Sequence, residues 1–371
     1  MNLKDISHIL LLVIVAAMLS CSQPKATGQN DGKDSVFTES SLLSSKVING
    51  CRVITIANPW NGGTLHCYAL VPDSAKVPGN LPSGCTVVRT PIKHAVVYSA
   101  VHTSVFKELD SFDAIAGITD LQYYSDPAVV AHVKSGKITD CGQSMSPSTE
   151  KIINAHADAI MLSPYQDSNF ESYKRLGMPV IECADYMENS PLGRAEWIKF
   201  IGMLLGKETQ ADSIFNGVKR KYASLKQTCA VQNAKHPRVL TEMLYSGVWS
   251  VPGGQSYMAQ VIKDAGGIYP WADDKSTGSL DLDFDRVLAK AQDADVWLIK
   301  SFGINTYADI EAANPLYTNF AAFKNRKIYV CDTNATHIFE RFPFHPELLL
   351  SDYCNIFSGN NVTLNFFRPC K

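Results

Sequence analysis

The sequence predicts an α/β protein built as two similar lobes joined by a long helical segment, with a ligand cleft between the lobes. Three observations predict it. A phrase occurs twice: Glu150-Lys-Ile-Ile-Asn-Ala-His-Ala-Asp158 leads into Ala-Ile-Met-Leu, and Asp285-Arg-Val-Leu-Ala-Lys-Ala-Gln-Asp-Ala-Asp295 leads into Val-Trp-Leu-Ile. Each copy opens on an acid, runs through a short helix and turns at Ala-Asp into an apolar strand. Strands alternate with helices on either side of the chain's middle, the pattern of βα units around a mostly parallel sheet, so each lobe is expected to be Rossmann-like. Between them, residues 194–226 favour helix and contain no proline.

The first residues read as a targeting segment. Lys4 supplies a positive start, and Ile9 to Leu19 is an apolar run too short to span a bilayer but suited to a signal peptide, placed at residues 1–20. It ends in Met18-Leu19-Ser20-Cys21, which resembles a bacterial lipobox whose cysteine is acylated. An ordinary signal peptide with an incidental cysteine is the alternative. Acylated Cys21 would hold a soluble body to a membrane that it does not cross, in a periplasmic location. Residues 21–45 are polar and read as a flexible tether.

The remaining chain is long enough for two domains: a first lobe at 46–190, an interlobe helical segment at 191–232 and a second lobe at 233–371. The formal net charge is −2, with Lys and Arg spread out, which argues against nucleic acid as a partner. Cys21 apart, the chain has nine cysteines, an odd number. Cys51 with Cys67 and Cys354 with Cys370 are the candidate disulfides, and buried single thiols are an equal alternative.

Along the chain, Val47–Arg89 reads as short strands with turns. Cys51–Ala57 and Thr64–Val71 form a hairpin around the turn cluster Asn58-Pro59-Trp60-Asn61-Gly62-Gly63, and Cys85–Thr90 is another strand. His94–Ala100 begins a buried strand, followed by helix to Leu109 and a short strand at Ala114–Ile118. Lys151–Ala155 is helical, Ala159–Leu162 a strand, Phe170–Leu176 a helix and Gly177–Cys183 a strand. In the interlobe segment Trp197, Ile198, Ile201, Leu204 and Leu205 form an apolar stripe. Gly206 ends this helix or bends a longer one. The alternation restarts with strand Arg238–Leu244, helix Ser256–Ala265, strands Val296–Lys300 and Lys327–Val330, and a terminal helix His345–Phe357 with Pro346 in its first turn. The tail from Ser358 has no assignment.

No nucleophile elbow, Walker loop, dinucleotide fingerprint or zinc-protease motif is present, so no catalytic residues are assigned. The histidines are scattered without metal-ligand spacing; no resident metal or cofactor is expected. What does recur is an aromatic residue near a strand end. Tyr98, His102, Tyr123, Tyr124, Tyr165 and Tyr186 do this in the first lobe. Tyr245, Trp249, Tyr257, Trp271 and Phe302 do it in the second. Open α/β sheets bind ligands outside the carboxyl ends of their strands, and aromatics there suit a large, partly apolar ligand. Arg341, beside Phe342-Pro-Phe, is a candidate partner for an anionic ligand group.

Several segments resemble one family. These are Pro147-Ser-Thr-Glu150 through Asp158, Pro191-Leu-Gly-Arg-Ala-Glu-Trp-Ile-Lys-Phe-Ile-Gly, and Val251-Pro-Gly-Gly-Gln-Ser-Tyr-Met-Ala through Gly267 with Trp271-Ala-Asp-Asp. They are similar to the substrate-binding proteins of ABC importers for iron–siderophore complexes, haem and cobalamin, of the Bacteroidetes type. The resemblance runs from about Val47 to Phe357. It implies a monomeric receptor that passes an iron chelate, haem or corrinoid to a permease and its ATPase. It also implies a stiff interlobe helix, little lobe movement and one surface acid per lobe that docks on permease arginines. The matching acids are Glu150 and Asp285, the latter shorter by one methylene. A ferric siderophore is the expected ligand. Haem would require an axial Tyr98, His102 or Tyr257. A metal-ion receptor of the same shape and an exported α/β enzyme are the alternatives from other classes.

Overall fold

A computed structural model describes residues 36–371, apart from residues 176 and 234. The assigned signal peptide, Cys21 and most of the expected tether lie outside the described residues. Four strands come first: β1 (Leu43–Ile48), β2 (Cys51–Ala57), β3 (Thr64–Pro72) and β4 (Thr86–Thr90), in that spatial order. The first three are antiparallel, and β4 runs parallel to β3. The expected hairpin is there. Asn58 Oδ1 accepts the Trp60 and Asn61 N–H groups, and Gly62 and Gly63 take positive φ to close the turn.

The first lobe follows. Its sheet runs β11 (Val180–Glu182), β10 (Ala159–Leu162), β5 (Ala95–Val97), β6 (Ile115–Ile118) and β7 (Thr139–Asp140), all parallel. A small hairpin of β8 (Gly142–Gln143) and β9 (Ser146–Pro147) follows β7. In the second lobe β12 (Val239–Thr241), β15 (Val296–Ser301) and β16 (Ile328–Asp332) are parallel. The unassigned tail returns as β17 (Arg368–Pro369), antiparallel to β16. It is held there by the buried Asp352 carboxylate, which accepts the N–H groups of Asn365, Phe366 and Phe367. A separate ribbon pairs β13 (Trp249–Pro252) with β14 (Ser279–Leu282).

The repeated phrase is a repeated hydrogen-bond arrangement. In the first lobe Ser148 caps the helix Thr149–Asn154, and Asp158 then accepts the Lys93 and His94 N–H groups, both at 2.9 Å. In the second, Asp283 caps the helix Phe284–Ala291, and Asp295 accepts the Arg238 N–H at 2.8 Å. In each lobe the aspartate at the start of a strand latches the start of its neighbour, satisfying donors that lie just before the strand ladder begins.

The interlobe segment is two helices rather than one. The first, α1 (Pro191–Leu205), ends at Gly206, whose φ of +67° only glycine adopts without strain; Lys207 N–H then bonds back to Gly202 O. The second, α2 (Glu208–Gln232), packs against the first. They approach so closely that a Cβ on Gly202 would lie 2.5 Å from Ala211 Cβ. The apolar stripe is present, but nearly all of α1 is buried, charged residues included. Tyr68, Ile54, Phe106 and Phe215 belong to the same core as Trp197 and Phe200.

That burial also corrects the tether. The segment expected to stay flexible to residue 45 is fixed from Thr38 onward. The fully buried Glu196 carboxylate accepts the N–H groups of Thr38, Glu39 and Ser40 at 2.7–3.0 Å. Glu188, equally buried, accepts those of Ser41 and Leu42, the Ser40 and Ser41 hydroxyls, and the Trp197 indole N–H. Polar composition suggests a tether; its donors are in fact consumed by two carboxylates about 150 residues away. All nine described cysteines are free, so neither candidate pair is bridged. Among the described residues no helix is long and apolar enough to cross a membrane.

Removing Glu196 leaves three strap donors without their partner and takes from Lys199 one of its two carboxylates. Glu196→Ala should therefore cost about 3 kcal/mol of unfolding free energy. Urea denaturation checks this; a loss below ~1 kcal/mol would show that water replaces the carboxylate without penalty.

Candidate ligand-binding cleft

The carboxyl ends of the two parallel sheets face each other. The helix α3 (Ala100–Glu108) follows β5 and meets α4 (Ile338–Arg341), which follows β16. Three hydrogen bonds cross between the lobes here. Ser104 Oγ donates to Glu340 O at 2.8 Å, Ser125 Oγ lies 2.8 Å from His337 Nδ1, and His345 Nε2 lies 2.8 Å from Glu108 Oε1.

Cavities lie on both faces of α4. One, of about 420 Å³, is lined by Tyr186, Arg194, Glu242, Tyr257, Lys300 and Phe342 among others. The other, of about 580 Å³, is lined by Ser104, Lys107, Tyr124, His337 and Arg341 among others. Both have side chains of both lobes in their walls.

The first cavity's wall is organised by Arg194, in the opening turn of α1. Its Nε donates to Asp185 Oδ2 at 2.9 Å, and His102 Nε2 meets Asp185 Oδ1 at 3.0 Å. Burial alone would raise the Asp185 pKa, but the Arg194 guanidinium and His102 outweigh it and hold the carboxyl below its usual range. The guanidinium lies 4.6 Å from the Tyr257 ring centroid and 5.7 Å from that of Phe342. One side chain thus touches the first lobe, the connector and the second lobe.

The same cavity is lined by the Glu242–Lys300 ion pair. Glu242 follows β12 with φ of +63°, a left-handed conformation that costs a residue with a Cβ about 1–2 kcal/mol. The backbone is held there by two indoles: Trp297 Nε1 donates to Glu242 O at 2.7 Å, and Trp249 Nε1 to Thr241 O at 3.0 Å. Burial would lower the Lys300 pKa, but Glu242 outweighs it and raises it, so the ammonium stays charged.

The sequence candidates divide by location. Tyr186 and Tyr257 line the first cavity; Tyr124 and Arg341 line the second. The Tyr186 hydroxyl donates to Pro164 O, and burial pushes its pKa up to about 12. Tyr123, Tyr165, Tyr245 and Phe302 are exposed just past β6, β10, β12 and β15, and Phe339 is exposed past β16.

Four expectations are corrected. Trp249 is fully buried, stacked 5.8 Å from Trp297, because β13 turns it into the second lobe's core. Trp271 packs beside Tyr269 in the same core. Tyr98 donates its hydroxyl to Tyr173, and His102 is sealed behind Arg194 with Asp185. Among the described residues no three His, Cys, Asp or Glu side chains converge on a point that could hold a metal ion.

Sequence reading missed Arg194, Glu242, Lys300 and Phe339. A signal existed for two of them: Glu242 and Lys300 are opposite charges at the ends of adjacent apolar strands. Arg194 carried none, being one of three charges in an otherwise apolar helix.

The architecture defines a two-lobed α/β solute-binding fold. The profile of the periplasmic binding protein family matches residues 95–335, from β5 to past β16. The chain belongs to that family, and it is a binding protein rather than an enzyme. It is similar to an uncharacterized lipoprotein of Methanocaldococcus jannaschii, 28% identical over 309 residues that span 75% of this chain and 72% of the relative. Solved structures share the fold. The apo periplasmic haem-binding protein of Roseiflexus sp. RS-1 has a TM-score of 0.59 at 19% identity, covering 72% of this chain and 98% of its own. The periplasmic vitamin B12-binding protein of Vibrio cholerae has a TM-score of 0.54 at 12% identity, covering 74% and 99%. The strands β1–β4 precede the matched region.

One cross-lobe contact joins a histidine to carboxylates. His345 meets Glu108 through Nε2 and Glu347 through Nδ1 at 3.2 Å, so the protonated ring donates to both. Burial would lower its pKa, but the two carboxylates outweigh it and raise it from 6.5 to about 9. A raised pKa gives stability that is full below the unfolded value and lost as pH rises through the folded one. Wild type should therefore exceed His345→Gln by roughly 1–2 kcal/mol near pH 6, with the gap closing by about pH 10. Urea unfolding across pH checks this; a gap that widens with pH would refute it.

Proposed function

We propose that this protein is a lipid-anchored, monomeric, periplasmic receptor that captures a ferric siderophore or related iron chelate between its lobes. It would deliver that ligand to an ABC permease and its ATPase. The observation that carries the reading is the placement of Tyr123 and Tyr165 in one lobe and Tyr245, Phe302 and Phe339 in the other. All five are exposed past the carboxyl ends of parallel strands in lobes whose strand ends face each other. Exposed aromatics on both sides of a cleft suit a large ligand with apolar faces.

Haem or cobalamin is the second reading, favoured by the similarity to receptors for those ligands. Two of the three axial candidates for haem are occupied within the protein: Tyr98 by Tyr173 and His102 by Asp185. That weighs toward an iron chelate whose metal arrives fully coordinated.

Docking would use Glu150 and Asp285. Both are exposed in the first turn of matching helices. Each helix runs back toward the start of the next parallel strand, so its first turn lies at the sheet end that also carries the aromatics. A helix-start acid favoured by the dipole would look the same, but the recurrence in both lobes favours a shared partner.

The two roles separate experimentally. Tyr165→Ala with Phe302→Ala should weaken ligand binding at least about tenfold by calorimetry, roughly 1.4 kcal/mol. Glu150→Ala with Asp285→Ala should leave that affinity unchanged and reduce transport in cells. Unchanged binding in the aromatic variant would remove the cleft reading; a large affinity loss in the acidic variant would remove the docking role.

A further inference from the structure

Three cysteines sit on one face of the leading sheet: Cys51, Cys67 and Cys85. Side chains alternate along β3. Tyr68 and Leu70 enter the core shared with α1, while Cys67, Ala69 and Val71 take the other face. On β4, Val88 joins the first group, and Cys85 and Val87 join the second. That second face carries a small core of Cys51, Val53, Ala69 and Val71, against which Leu81 of the β3–β4 connection packs.

Register decides which thiols meet. The parallel ladder of β3 and β4 opens with Tyr68 opposite Thr86, so one step earlier Cys67 stands opposite Cys85. Paired strands lie about 4.8 Å apart, within the roughly 4.4–6.8 Å between Cα atoms that a disulfide spans. Cys51 is elsewhere. The antiparallel pairing of Arg52 with Leu70 puts it opposite Val71, about 13 Å along β3 from Cys67. Its thiol donates to Leu70 O at 3.3 Å. Cys67 and Cys85 are both partly exposed. Burial pushes the Cys85 thiol up to about 12, and the Cys67 thiol beside it adds to the rise. Cys229 and Cys354 also adjoin, but both are sealed in the second lobe's core.

We propose that Cys67 and Cys85 are joined by a disulfide in the exported protein, a staple that ties the start of β4 to β3. The assignment rests on the periplasmic placement in the functional reading, because disulfides form and persist in that compartment. The oxidant is the disulfide of a thiol–disulfide exchange partner. The Cys67 thiolate attacks one of its sulfurs and releases the first partner thiol. Cys85 then gives up its proton and attacks Cys67 Sγ, which expels the second. One partner disulfide becomes two thiols as two protein thiols become one disulfide, so electrons and protons balance. The bond closes residues 67–85 into a loop and so restricts the unfolded chain.

The test treats purified, reduced, folded full-length protein with glutathione disulfide, then denatures, alkylates and maps its peptides by mass spectrometry. A linked Cys67–Cys85 peptide is expected, with Cys51, Cys229 and Cys354 alkylated. Cys85→Ser should stop at a glutathione adduct on Cys67, the first step without the second. Free Cys67 and Cys85 in wild type, a stable adduct without closure, or a Cys51–Cys67 link would overturn the staple. The same mapping is run on protein taken from cells without reductant. The linked peptide in the periplasmic fraction supports the proposal, and both thiols alkylated there overturn it while leaving the placement intact. Recovery only in the cytoplasmic fraction would overturn the exported placement, and the staple with it.

Discussion

A helix that joins two lobes and is buried along nearly its whole length must satisfy its charges without water. Much of this molecule is arranged around that constraint on α1. Glu196 is neutralised by Lys199 and by the backbone of Thr38–Ser40. Just before the helix, Glu188 takes the next stretch of the same strap and the Trp197 indole. Arg194 finds Asp185 on one side and the Tyr257 face on the other. A buried charge left unpaired costs several kcal/mol, so each partner is held where the helix needs it. The consequence is geometric: strap, first sheet, both lobes and the cavity wall are referenced to one rod.

The cleft follows from that frame. Tyr68 of β3 donates to Val180 O and accepts from Glu182 N–H, which locks the leading sheet to the first lobe beside the rod. The second lobe is fixed by its own core of stacked tryptophans, whose indole N–H groups hold the backbone of Thr241 and of Glu242, which lines the cavity. The walls are thus built on two separately packed cores. What can vary is the cross-lobe set at Ser104, Ser125 and His345, which is polar and partly exposed.

The two lobes were legible because their pattern is local. The doubled phrase encodes helix, turn and strand within a dozen residues, and its Asp158 and Asp295 do the same work in both copies. What the chain did not disclose is long-range. Nothing near Thr38 announces that its N–H belongs to Glu196. The aromatic residues show the limit well: Tyr245 is exposed and Trp249 wholly buried, four positions apart, because β13 pairing turns one inward. Composition finds aromatics near strand ends, but only the fold says which face they take. The split at Gly206 was visible as an ambiguity, and its positive φ resolved it.

The proposed capture places an iron chelate between the carboxyl ends of the two parallel sheets. Crystals grown with a saturating ferric chelate, measured at the iron absorption edge, test it most directly. An iron chelate held there gives one anomalous peak in the cleft, flanked by the aromatics past β10 and β15. An iron peak on the outer face of either lobe, with that cleft unchanged, would contradict it.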